Sequence, residues 1–172
     1  MNRFFLLSGM ILVAVLSKCV PHPVNFTPIG AIALFAGAHF TNKRAAFLVP
    51  LIALLISDVI TGLHVLIPFV YGCFALNVLL GFWIRRQKST LRTISAICIG
   101  AAVFFLVTNF GSWVAFDTFP KTPAGLLACY ASAIPYLINS LLGDLFYSAV
   151  LFGGLAFAEY RFPTLRRAEV TL

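Results

Sequence analysis

The chain has 172 residues, 61% of them hydrophobic and only 10% charged, with a formal net charge of +7. Soluble domains carry about 25% charged and 45–50% apolar residues, so a soluble enzyme is excluded, as is a disordered chain, whose signature is low hydrophobicity. A crossing helix takes about 20 apolar residues, which leaves room for about six crossings in one bundle spanning residues 1–172 and almost nothing outside the bilayer.

Six apolar segments read as transmembrane helices. The first covers residues 4–20 and ends at Pro21, His22 and Pro23. Its start resembles a signal peptide, with a lipoprotein-like Leu16, Ser17, Lys18, Cys19, but Lys18 stands where a small residue is needed, so an uncleaved helix is expected. The second, 26–41, is short and interrupted by Pro28, Gly30 and Gly37. Asn42, Lys43 and Arg44 separate it from the third, 45–62, and the fourth, 64–84, ends in Arg85, Arg86, Gln87 and Lys88. The fifth is 91–116. After a polar stretch, the apolar region 124–158 is long for one crossing and contains Pro135. Proline breaks the helical ladder and restricts the residue before it. The reading is therefore a short interfacial piece near 124–134 and a sixth span over 136–158. Residues 159–172 read as a basic, frayed cytoplasmic tail.

Charge placement supports six spans. Arg3, Lys43, Arg44, Arg85, Arg86, Lys88, Arg92, Arg161, Arg166 and Arg167 fall on one side, and only Lys18 and Lys121 on the other. Basic residues concentrate on the cytoplasmic side of membrane proteins, which puts both termini inside and suits topology better than a nucleic-acid groove.

Polar side chains in hydrocarbon are costly and each needs an account. In this topology Asn25, Thr27, Asp58, Tyr71, Asn77, Asn109, Trp113 and Asn139 all fall toward the outer half, where they suit a ligand cavity open to the outside. Asp144 lies deeper and is expected to be either neutral or paired, with Lys18 and Lys121 reaching only its neighbourhood. The competing reading is structural: interhelical hydrogen bonds worth about 0.6 kcal/mol on average, with Tyr71 and Trp113 as interfacial aromatics. Small residues at Ala33 and Gly37, and at Gly100, Ala101 and Ala102, read as close helix packing inside the bundle, with a partner-binding face as the alternative. Of the four cysteines, Cys98 reads as apolar filler, and Cys19 and Cys129 lie near the outer face, where a disulfide is conceivable. Cys73 sits at cavity level, where a thiol either fills the core or ligates a soft metal carried by a ligand. No ATP-binding, metalloprotease or Ser/His/Asp pattern is present. Asp58 and Asp144 lack a paired base for lipid chemistry. The chain therefore reads as no enzyme and as holding no intrinsic cofactor.

The stretch NFTPIGAIALFAGA at residues 25–38 resembles a family of small bacterial six-span membrane proteins. Pro50 with Leu51, Ser57 with Asp58 and Gly62, Tyr71 with Phe74, Ala75 and Leu76, and Gly81 carry the same resemblance over residues 20–85. In size and span number the family is similar to the substrate-binding S components of energy-coupling-factor vitamin transporters. That resemblance implies a vitamin-sized ligand taken from outside, the bilayer of the bacterial inner membrane as the setting, and a coupling subunit with ATPases as partner. Span one carries only Ala14 where S components often have an Ala-xxx-Ala coupling motif. A solitary cobalamin-specific type holds cobalt through cysteine, which makes cobalamin the first candidate ligand and Cys73 its expected metal contact. The alternative is a membrane scaffold or assembly protein without ligand.

Overall fold

The computed structural model describes residues 2–87 and 89–166, so Lys88 and Arg167 of the basic set lie outside the described residues. Among the described residues the chain is all-α, without strands. The helices are α1 (Arg3–Leu16), α2 (Ile29–His39), α3 (Lys43–Thr61), α4 (Ile67–Arg86), α5 (Thr90–Ala115), α6 (Pro123–Ser132) and α7 (Ile134–Arg161), with single 3-10 turns at Ser17–Cys19 and Pro163–Leu165. Their starts follow local chemistry. The Asn2, Asn42 and Thr122 side chains accept the backbone N–H of Phe4, Arg44 and Gly125 at the heads of α1, α3 and α6. Proline occupies the first turn of α4, α6 and α7, where its missing N–H costs nothing.

Four helices, α3, α4, α5 and α7, are long and apolar enough to cross a membrane. The first two sequence segments are corrected in extent. The first segment, 4–20, is a 14-residue helix that begins at Arg3 and ends at Leu16, and of 26–41 only 11 residues are helical. At 1.5 Å per residue α2 is about 16 Å long, roughly half of the ~30 Å hydrocarbon core. The break expected near Pro135 falls where α6 gives way to α7. The reading of 159–172 as a frayed tail is corrected in part: α7 continues to Arg161, Arg3 pairs with the Glu159 carboxylate, and Arg3 also donates to the Leu165 carbonyl at 2.6 Å.

The short α2 is the hub. Residues 31–38 are all buried, and α1, α3, α4, α5 and α7 pack around it. A helix apolar on every side belongs inside a core. Its closest neighbour is α4, where a Cβ added at Gly37 would lie 2.9 Å from the Gly81 Cα, closer than real Cβ atoms come. The Ala33 and Gly37 face is therefore internal packing. Around this hub the other helices expose Leu55, Ile56, Val59, Ile60, Leu106, Phe146 and Phe157, the apolar outer surface that a bilayer would cover. Cys98 is corrected: it is exposed on α5 rather than filling the core.

Candidate functional site

Half of the bundle's depth lacks a central helix because α2 begins late. Residues 20–28 fill part of that space as non-helical chain, and α7 holds them down. Asn139 donates to the Val24 carbonyl at 3.0 Å, Phe26 packs on the rings of Phe146 and Tyr147, and a Cβ at Gly143 would lie 3.0 Å from the Thr27 nitrogen. Asn25 takes φ of 64° in this segment, a left-handed conformation that asparagine tolerates better than most residues. Irregular backbone at membrane depth is tolerated where it is buried in protein or lines a cavity.

A cavity of about 360 Å³ lies beside this segment. Asn25 and Thr27 border it from the segment before α2 and Ile29 from the start of α2, Asp58 from α3, His64 and Leu66 from the turn before α4, and Val70 from α4 itself. Phe104, Thr108, Asn109 and Ser112 line it from α5, and Tyr136 and Ser140 from α7. A narrow crevice of about 10 Å³ shares Thr27, Ile29, Phe104 and Ser140 with this lining and adds Gly30, Phe74, Asn77 and Asp144. That is room for about one water molecule.

One wall carries a partly buried ion pair. The Lys18 ammonium donates to Asp58 Oδ1 at 2.7 Å, and the Tyr71 hydroxyl donates to Asp58 Oδ2 at 3.0 Å. Both carboxylate oxygens are thereby satisfied in a side chain 4% exposed. Such a pair gives no net charge to its wall, and the rest of the lining offers hydroxyls, amides, the His64 imidazole and apolar surface. This suits binding and orienting a small polar molecule. Among the described residues no three His, Cys, Asp or Glu side chains come together as a metal cluster.

The nine sequence candidates separate into three groups. Asn25, Thr27, Asp58 and Asn109 line the cavity. Tyr71 stands one hydrogen bond behind it through Asp58, and Asn77 lines the crevice, with its Nδ2 donating to the Cys73 carbonyl at 3.0 Å. Cys73, Trp113 and Asn139 are not in the lining. Cys73 is buried in α4, Trp113 Nε1 donates to the Pro120 carbonyl at 2.9 Å in the turn before α6, and Asn139 braces the loop at Val24. All four cysteines are free, Cys19 and Cys129 included.

Sequence reasoning missed Lys18, His64, Thr108, Ser112 and Ser140 as lining residues. Spacing would have found three of them. Phe104, Thr108 and Ser112 recur every four residues on α5, and Tyr136, Ser140 and Asp144 do so on α7, so each trio shares one helix face. Asp144 has its partner in backbone: its Oδ1 accepts the Ala31 N–H at 3.0 Å. Lys18 and Lys121 pair elsewhere, with Asp58 and Asp117.

The chain belongs to the DUF6580 family, a family of unknown function, which it matches over residues 1–165. Neither curated proteins nor solved structures gave a match to it.

Proposed function

From a family that names no activity and a cavity built around a half-length helix, we propose that this protein is a membrane substrate-binding subunit. It binds a small, vitamin-sized polar molecule for uptake. In this reading the chain crosses the bacterial inner membrane six times, α1 and α2 making the two short crossings with their flanking non-helical residues. Both termini are cytoplasmic and the cavity opens outward. The excess of basic residues at the ends of α4 and α7 and at the starts of α1, α3 and α5 supports this orientation. The chain has no ATP-binding motif, so concentrative uptake would fall to a coupling partner with ATPases.

The observation that carries the reading is the 360 Å³ polar cavity reaching the start of α2. Broken helices beside irregular backbone are how many transporters build substrate sites. The volume lies at the small end of the range of about 300–1,000 Å³ for ligand pockets. It supports a ligand smaller than cobalamin, with its corrin ring and nucleotide tail, and the absence of Cys73 from the lining points the same way. A second reading, a ligand-free scaffold, draws on Asp144, Asn139 and Trp113, whose polar atoms bind backbone of neighbouring segments.

Mass spectrometry of small molecules retained by the purified protein separates the two. Wild type should carry a compound that Ser140→Leu, which fills the cavity, does not. If both preparations are equally empty and no vitamin panel stabilises wild type, the scaffold reading replaces the uptake reading.

A further inference from the structure

At the opposite end of α2 lies a second pocket of about 400 Å³, separate from the candidate ligand cavity. His39 and Phe152 stand on one side, packed ring to ring at 5.1 Å. Arg85 at the end of α4 and Ser89, Thr90 and Thr93 at the start of α5 stand on the other. Arg85 Nη1 donates to the Phe40 carbonyl at 2.8 Å. A guanidinium has five N–H donors in a fixed fork, so most of that fork is left over from this one bond. Ser89, the N-cap of α5, makes no side-chain hydrogen bond to the helix. The N–H groups of the first turn beside it favour negative charge.

Among the described residues no carboxylate pairs with the arginine side chains around this pocket. Among the described residues the ion pairs join Arg3 to Glu159, Lys18 to Asp58 and Lys121 to Asp117, and none includes Arg85, Arg86 or Arg92. Depth is marked by Trp83, 36% exposed, with the Arg92 guanidinium 5.3 Å from its ring centroid. Tryptophan concentrates at the headgroup level of bilayers. The pocket thus combines cation, hydroxyls and apolar wall at the depth where a lipid's phosphate meets its acyl chains.

We propose that this pocket binds the phosphate of an anionic membrane phospholipid, with Arg85 and the start of α5 holding the phosphate oxygens and Phe152 and Ile84 the glycerol side. Basic pockets between helices are a known chemical solution for acidic headgroups. The site is independent of any ligand in the other cavity, so either proposal can fail alone.

The test is thermal unfolding of the full-length protein in neutral detergent with dioleoylphosphatidylglycerol, dioleoylphosphatidylcholine or inorganic phosphate added. Phosphatidylglycerol should raise the midpoint at concentrations where phosphatidylcholine does not, and inorganic phosphate only at far higher concentration. Arg85→Gln should weaken the effect about tenfold, as expected for one charge-assisted contact. Arg85 also braces Phe40, so Thr90→Glu serves as a second variant. An acidic residue in the first turn suits the helix dipole, yet its carboxylate would repel the phosphate and abolish the shift. Equal shifts with both lipids, or an undiminished phosphatidylglycerol shift in Thr90→Glu, overturn the proposal. Inorganic phosphate matching phosphatidylglycerol at equal concentration overturns the lipid and makes this a soluble-anion site.

Discussion

Asp144 on α7 accepts the backbone N–H of Ala31 on α2 at 3.0 Å, so a side chain 113 positions away caps the central helix. Pro28, the local N-cap, makes no side-chain hydrogen bond. Gly30 makes the approach possible, because a Cβ there would collide with the Asp144 carboxyl group. At the other end Arg85 donates to the Phe40 carbonyl. The Asp144 carboxyl group at the N-terminus and Arg85 at the C-terminus each satisfy a backbone group that the helix itself leaves without a partner, and together they fix the depth of α2. That depth sets the floor of the cavity.

Asp144→Ala should therefore destabilise the protein by about 2–3 kcal/mol, the cost of leaving buried backbone donors without an acceptor. Asp144→Asn keeps an acceptor oxygen and should cost less. Ser148, one turn further along α7, is buried with no hydrogen-bond partner for its hydroxyl, so Ser148→Ala should be neutral or stabilising. Denaturant titration in detergent checks all three. An Asp144→Ala variant as stable as wild type would remove the cap from this account.

The long spans were legible because hydropathy and charge are one-dimensional signals. α3, α4, α5 and α7 appear within a few residues of their expected bounds. α2 was not, because Phe26, Pro28 and Phe40 extend an apolar run that is helical only over its middle. The cavity was half legible. Asn25, Asp58 and Asn109 are rare residue types in hydrocarbon and attract notice, whereas Thr108 and Ser140 emerge only once α5 and α7 are set face to face. Trp113 and Asn139 misled because a polar group inside an apolar stretch also serves a backbone carbonyl, and composition does not distinguish the two uses.

The Lys18 and Asp58 pair predicts a large coupling. Asp58 is buried and Lys18 partly so, and removing Lys18 leaves a desolvated carboxylate with only the Tyr71 hydroxyl. Breaking a buried pair from one side costs about 3–5 kcal/mol. Lys18→Met should be severely destabilised, and Lys18→Met with Asp58→Leu should recover much of the loss. A double-mutant cycle measures this, and simple additivity of the two single losses would show that the pair is not coupled.

Gly81 and Gly72 offer a comparison within one helix. A Cβ at Gly81 would meet the Gly37 Cα at 2.8 Å, while at Gly72 nothing lies within 4 Å. Gly81→Ala forces α2 and α4 apart and should cost about 1–3 kcal/mol or more, the range for overpacking. Gly72→Ala gains helix propensity, up to about 1 kcal/mol, and should be neutral or stabilising. Thermal midpoints of the two variants test the packing directly, and a Gly81→Ala protein that matches wild type would contradict the close approach.

The cysteines test topology and ligand together. Cys19 is exposed at the end of the turn after α1, whereas Cys73 is buried in α4 and outside the cavity lining. In the six-span orientation Cys19 faces the outside. A membrane-impermeant maleimide added to intact cells should modify Cys19 and leave Cys73 untouched until the protein is denatured. Modification of Cys19 only after the cells are opened would invert the orientation. Cobalamin, the ligand first suggested by the resemblance, provides the spectroscopic half. Cys73→Ser should leave the visible spectrum of protein mixed with cobalamin unchanged, because its thiol does not reach the cavity. A sulfur-ligated cobalt spectrum in wild type that disappears in Cys73→Ser would instead require α4 to turn that side chain toward the ligand, and would restore cobalamin as the leading candidate.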